Sequence, residues 1–316
     1  MPLIVRRPAY LLEEGGDLQE RSYGKGIEAS NTNMKGKDMA MDTVSTGTLL
    51  EVDGAKIYHE VRGSGPSVLF IAGATGDSGH FGRVAEILSD EFTVVTYDRR
   101  ANSRSPRPDG WESTSTEEQS EDAARLIEGL GLAPIAIFGN SVGAIIGLDL
   151  VIRHPELVRG AILHEPPMTA GMSNPQEVMG AIQQVVEGGM KKGGPRGGCE
   201  TFFRFVAGDE AFENLDPHLR ERMLVNGETF LGTEMGAFEP YQPDEAALTA
   251  AEVPVRVMVG TESAPFFAEA ARWLAERLGV ELEELPGGHT PYFDSPQEMA
   301  ETLRPLLRKL SRRQPV

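Results

Sequence analysis

The sequence predicts an α/β fold: a mostly parallel central sheet flanked by helices, with a helical segment inserted into it. Three observations carry this. Short apolar runs of strand length recur along the chain and alternate with longer helical patterns, as parallel strands joined by crossover helices require. The alternation stops once, between Glu165 and Ala251, where only amphipathic segments occur. A G-x-S-x-G turn, Gly139-Asn140-Ser141-Val142-Gly143, lies where a strand-like run meets a helix-like one.

Residues 1–46 mix charge, Gly and Ser without sustained periodicity, and are expected to form an N-terminal extension. Regular structure is expected from Thr48. Leu49–Val52 and Lys56–Val61 flank Asp53-Gly54-Ala55, and Asp-Gly between alternating runs signals a hairpin. Strand candidates follow at Ser67–Ala72, Phe92–Tyr97, Ala133–Phe138, Arg159–Leu163, Val253–Val259 and Val280–Leu285. The insertion carries amphipathic segments at Val178–Val186, Gly198–Val206 and Leu219–Phe230, with Gly188–Gly194 expected as a mobile Gly-rich loop among them. For the last helix, Ser295 is the expected N-cap, Pro296 the first helical residue, and Glu298 the partner in a capping box. The expected organisation is an extension at 1–46, an α/β core from 47–165 and 252–316, and a helical cap at 166–251.

Composition narrows the function classes. A chain of 316 residues can bury a large core, and its net charge of −18 disfavours nucleic acid and anionic membrane surfaces as partners. One cysteine, Cys199, excludes an internal disulfide framework and fits a reducing compartment. No apolar run reaches membrane-spanning length, and Met1–Arg7 lacks the pattern of a secretory signal, so a cytoplasmic location is expected. No His/Asp/Glu cluster has convincing ligand spacing, so neither a metal nor a cofactor is expected.

The serine turn has a specific physical logic. A strand-to-helix turn this sharp crowds its neighbours, and glycines at 139 and 143 relieve the crowding. Ser141 is lifted above the sheet, and the Val142 amide points to the same spot. A serine hydroxyl needs a base. Among six histidines His289 stands out, because Pro286-Gly287-Gly288 can bring its ring from the last strand over the turn. His154 and His218 sit beside prolines at helix boundaries, and His59 lies on the hairpin. His80, after the loop that follows Ser67–Ala72, is a possible pocket residue. That same loop, Ala72-Gly73-Ala74-Thr75-Gly76, turns on glycines that an ordinary tight turn also needs; it makes the Ala74 and Val142 amides the candidate oxyanion donors. For the acid two positions stand open. Gly260-Thr261-Glu262-Ser263 has serine where an aspartate is commonest and offers Glu262; Ala161–Pro167 offers Glu165 at a strand end.

These residues resemble the α/β-hydrolase superfamily over roughly Thr48 to Leu310, where the triad runs in the order serine, acid, histidine. Tyr97–Ser105 is similar to that superfamily's turn before the second helix, with Ala101 where glycine is usual. Within the superfamily the chain looks like the lactonases that open the macrocyclic ester of zearalenone. His164-Glu165-Pro166-Pro167 resembles their acid segment, Thr261-Glu262-Ser263 with Phe266-Phe267 resembles a run that in them is not the acid, and Gly288–Tyr292 resembles their histidine segment. Glu165 follows Ser141 by 24 positions, as in that group. The resemblance therefore prefers Glu165 to Glu262.

The resulting expectation is a serine hydrolase that cleaves an ester or lactone of a hydrophobic substrate through an acyl-enzyme, with Ser141, His289 and Glu165 as triad. Gly73, Pro166 and Phe230 are the expected substrate contacts, and Phe202, Phe203, Phe205, Met223, Phe238 and Tyr241 add large apolar groups to the cap, most of them for its own core. A carboxylesterase, a carbon–carbon bond hydrolase or a perhydrolase would present the same triad. A ligand-binding protein on this fold is the alternative from another class. Haloalkane dehalogenases and epoxide hydrolases are disfavoured, since those families resemble a pattern with aspartate at the turn.

Overall fold

The computed structural model of the chain describes residues 47–250 and 252–312; the expected N-terminal extension lies outside them. Among the described residues eight strands form one sheet: β1 (Thr48–Val52), β2 (Ala55–Arg62), β3 (Ser67–Ile71), β4 (Thr93–Tyr97), β5 (Ile135–Asn140), β6 (Val158–His164), β7 (Val255–Gly260) and β8 (Leu282–Leu285). Their order is β1-β2-β4-β3-β5-β6-β7-β8. The β1–β2 hairpin is antiparallel and β2 runs antiparallel to β4. All later pairings are parallel.

The helices of the core are α1 (Gly82–Leu88), α2 (Thr116–Leu130) and α3 (Val142–Arg153), joined after the insertion by further helices named below. Local chemistry marks their ends. Ser115 caps α2 by accepting the Glu118 amide, and Gly131 ends it at φ 66°. Both sheet faces are covered, which is why β3 reads as an unbroken apolar run: Leu69 and Ile71 face the cluster with α2 and α3, Val68 and Phe70 the cluster with α1.

Between β6 and β7 lie α4 (Pro175–Ala207), α5 (Asp209–Glu213), α6 (Pro217–Val225), α7 (Gly227–Thr229), a π-helical turn at Phe230–Glu234, α8 (Met235–Phe238) and α9 (Glu245–Ala250). Phe203, Phe212, Leu219 and Met223 gather into an apolar cluster within this stretch. The Gly-rich segment departs from its expected form. Helix continues through Gly188–Lys192 and breaks only at Gly193 (φ −144°) and Gly194 (φ 60°). The reason is a close crossing: a Cβ at Gly189 would stand 2.2 Å from the Gly197 carbonyl oxygen, and one at Gly197 2.4 Å from that of Gly189. Here glycine serves contact between two helical arms, at a propensity cost of about 1 kcal/mol each.

The chain ends in α10 (Pro265–Leu278), α11 (Pro291–Asp294) and α12 (Pro296–Ser311). Helix α10 packs on the α2/α3 face and α12 on the α1 face. Ser295 is the N-cap of α12 and Pro296 opens it, but the Ser295 side chain makes no capping bond. The expected capping box does not form; the Ser295 amide that Glu298 would have met instead donates to the Pro291 carbonyl at 2.9 Å. Among the described residues no helix is long and apolar enough to cross a membrane.

Candidate active site

Ser141 occupies the turn between β5 and α3 with φ 54° and ψ −125°, a conformation costing a non-glycine residue about 1–3 kcal/mol. Its neighbours hold it there. The Ser141 amide donates to the His164 carbonyl at 2.9 Å. A Cβ at Gly139 would lie 2.4 Å from the Gly143 oxygen, and one at Gly143 only 2.1 Å from the Ile71 oxygen. Both glycines are thus demanded by backbone that has nowhere to go. Val142 is the first residue of α3, so its amide belongs to the helix-start donors that lack an intrahelical partner.

Glu165 follows the end of β6 at φ 50° and is fully buried. Its Oε2 accepts from His289 Nδ1 at 2.5 Å and its Oε1 from the Gly260 amide at 2.7 Å. Burial alone would push this carboxyl up, but the His289 bond and the neighbouring His164 and His289 rings prevail and bring it down to about 2. Since a carboxylate only accepts, His289 carries its proton on Nδ1 and leaves Nε2 as the basic atom. The ring lies flat on Phe267, centroids 3.9 Å apart and planes 9° apart. Glu262, by contrast, is exposed.

The loop after β3 is held by its carbonyls. That of Gly73 accepts from Arg99 Nη2 (2.9 Å) and the Gly76 amide (3.2 Å). The Thr75 carbonyl accepts from Asn226 Nδ2 and the Gly76 carbonyl from the Arg99 amide. Gly73 itself abuts the serine, since a Cβ there would come 3.0 Å from Ser141 Cβ. Across a trans peptide the carbonyl and the following N–H point oppositely. With the Gly73 oxygen turned to Arg99, the Ala74 N–H faces the other way.

Ser141, Val142 and His289 line one end of a cavity of about 90 Å³. Its remaining walls are chiefly apolar and come from the segment after β6 (Pro167, Thr169 and Met172), α4, the Phe230–Glu239 segment and α10. Of the large apolar residues anticipated in the insertion, Phe202, Phe230 and Phe238 line this cavity, while Phe203 and Met223 pack into the insertion's own cluster. Pro167 lines it and Pro166 does not, and Gly73 lies behind Ser141 instead of in the wall. His80 does not reach the cavity either. It is buried against Tyr292 and Phe293, and burial lowers its imidazole to about 4. Its neighbours explain this: it sits in the 3-10 turn Ser78–Phe81 behind the loop.

Sequence reasoning missed a network beneath Ser141, Glu165 and His289. Asn140 Nδ2 donates to His164 Nδ1 (2.9 Å) and to the His289 carbonyl (3.1 Å), and Tyr292 Oη donates to Asn140 Oδ1 (3.0 Å). One side chain thereby ties the segment before Ser141 to the segments that carry Glu165 and His289. His164 is lowered by burial to about 4 and so stays neutral. The available signal was polarity out of place, an Asn closing an apolar strand.

A sequence model of the alpha/beta hydrolase family matches residues 68–302. Over 272 residues the chain is 37% identical to a protein of Bacillus subtilis named "Uncharacterized hydrolase YraK", covering 84% of this chain and 97% of that one. It is 28% identical over 270 residues to the zearalenone hydrolase of Cladophialophora bantiana, covering 83% and 96%. Among solved structures, a thermophilic esterase from Thermogutta terrifontis superposes with a TM-score of 0.65 at 24% identity, covering 81% of this chain and 94% of that one.

Proposed function

The chain belongs to the alpha/beta hydrolase family, and from that membership we propose that it is a serine hydrolase cleaving an ester or lactone of a hydrophobic substrate through an acyl-enzyme. One observation carries this reading. The ring of His289, held at Nδ1 by buried Glu165, opens with Ser141 onto the same apolar cavity.

In the proposed reaction His289 Nε2 takes the Ser141 hydroxyl proton as Oγ attacks the substrate carbonyl. The negative charge on the carbonyl oxygen is met by the Ala74 and Val142 N–H groups, donors set before the reaction begins. The imidazolium, stabilised by Glu165, then gives its proton to the leaving alkoxide. Water enters, and His289 Nε2 removes its proton as the water oxygen attacks the acyl carbon. The acyl–Oγ bond then breaks as the imidazolium returns that proton to Oγ, which releases the acid and restores the serine. In a lactone the alcohol stays tethered to the acyl group, so water must compete with its return.

The cavity adds a size preference. About 90 Å³ is well below the roughly 300–1,000 Å³ of pockets that enclose drug-sized ligands. It suits a short apolar acyl group. A zearalenone-type macrocycle, brought into consideration by the 28% identical relative, requires the α4 and Phe230–Phe238 walls to part.

The test is labelling by a fluorophosphonate probe in the wild type and in Ser141→Ala, followed by a panel of p-nitrophenyl esters, aliphatic lactones and zearalenone. Mass spectrometry reads the gain of one water. Serine-dependent labelling and turnover of at least one ester or lactone are expected. Tight binding of a panel member with neither labelling nor turnover would replace the enzyme reading with that of a binding protein.

A further inference from the structure

Arg99 and Glu234 form an ion pair with neither side chain exposed. Glu234 Oε1 accepts from Arg99 Nη1 at 2.8 Å and Oε2 from Nη2 at 2.9 Å, the two-pronged geometry of a guanidinium facing a carboxylate. Asn102 Nδ2 adds a third bond to Glu234 Oε1 (2.9 Å), and Gln119 accepts from Arg99 Nη1 at 3.2 Å. So fixed, Arg99 Nη2 has one further bond, to the Gly73 carbonyl. A buried pair of this kind contributes little net stability compared with apolar residues of similar size. Its placement points to another use.

Resting on the serine-hydrolase reading, we infer that Arg99, clamped by Glu234, is the positioning residue for the oxyanion donor Ala74 N–H. Three features support it. The Gly73 carbonyl and the Ala74 N–H share one peptide plane, so fixing the first aims the second. A guanidinium on the carbonyl polarises that peptide and strengthens the opposite N–H as a donor in a dry surrounding. Glu234 belongs to the π-helical turn that opens with Phe230, and Phe230, Met235 and Phe238 line the cavity. The segment that contacts the acyl group therefore also sets the donor, and a shift of that wall reaches the oxyanion site through two side chains.

Two variants test this. Arg99→Lys keeps a charge but cannot hold Glu234 with two prongs and the Gly73 carbonyl together. The paired variant Arg99→Met/Glu234→Leu removes both charges, leaves none unpaired, and preserves folding if the single variant does not. For each, kcat on a p-nitrophenyl ester is expected to fall about 10- to 100-fold, short of the loss of a whole donor, with KM within about twofold because no ground-state contact is lost. A trifluoromethyl ketone, which adds Ser141 Oγ to give a hemiketal oxyanion, is expected to weaken by the same factor as kcat. A folded paired variant that keeps wild-type kcat and ketone affinity overturns the positioning role, as does a kcat loss with unchanged ketone affinity. Turnover that survives Ser141→Ala is a different result, since it removes the serine-hydrolase reading itself.

Discussion

The imidazole of His289 and the carboxylate of Glu165 meet at 2.5 Å although 124 residues separate them. The meeting depends on Glu165 lying just past β6 at φ 50°, with its amide donating to the Met258 carbonyl and its Oε1 accepting from Gly260. Glu165→Gln is expected to lower kcat by about 10³- to 10⁴-fold, because an amide donating to the ring favours the wrong tautomer. Glu262→Gln is expected to stay within twofold of the wild type. Steady-state kinetics on one ester decides, and the reverse pattern would make Glu262 the acid.

Acidification should destabilise the fold in two windows. His80 and His164, held near 4 by burial against an ordinary value of 6.5, accept protons more readily when unfolded. Their contribution is intact above pH 6.5 and is lost as pH falls toward 4. Glu165, depressed from 4.5 to about 2, contributes stability present above pH 4.5 and lost as pH falls through about 2. Thermal midpoints at pH 7, 5.5 and 4 are expected to drop steadily, and less steeply in His80→Leu. Identical pH slopes for the two proteins would rule out His80 as a source.

The glycines divide by what surrounds them. Gly143→Ala places a Cβ 2.1 Å from the Ile71 oxygen, and since only backbone could move aside, a loss of about 3 kcal/mol or more is expected. Gly180, in the first arm of α4, would meet nothing within 4 Å. Gly180→Ala is expected to raise stability by about 0.5–1 kcal/mol through helix propensity and reduced freedom of the unfolded chain. Denaturant midpoints of both variants measure the contrast.

Phe230 is buried in the cavity wall with its ring 4.7 Å from that of Phe202. Phe230→Ala enlarges the space facing Ser141, so the preferred acyl length in a p-nitrophenyl ester series is expected to rise by two or more carbons. Stability should fall by about 3–5 kcal/mol at most, as for other large aromatic truncations in cores. An unchanged chain-length profile in the folded variant would remove Phe230 from the acyl site.

Much of the fold was legible because its signals are local. Strand–helix alternation, the Asp-Gly hairpin and the glycines around Ser141 each express a constraint that lies within a few neighbouring residues. The Gly-rich segment misled for the complementary reason. Glycine lowers helix propensity wherever it occurs, yet Gly189 and Gly197 answer to a backbone contact made between two arms of α4. Asn140 was overlooked because its three partners, His164, His289 and Tyr292, come from other segments. Glu234 offered a hint, the one charge between Phe230 and Phe238, but nothing local names Arg99 as its partner.

The order of elements, the serine turn and a short list of residues able to serve as acid and base are all readable along the chain. Periodicity and steric need at a sharp turn act along the chain, so they are written there. Which glutamate reaches His289, which aromatics line the cavity with Ser141, and that Glu234 stands behind the Gly73 carbonyl through Arg99 emerge from the folded chain alone. Those are meetings of residues far apart in sequence. They are set by strand order and helix packing, and no local pattern encodes them.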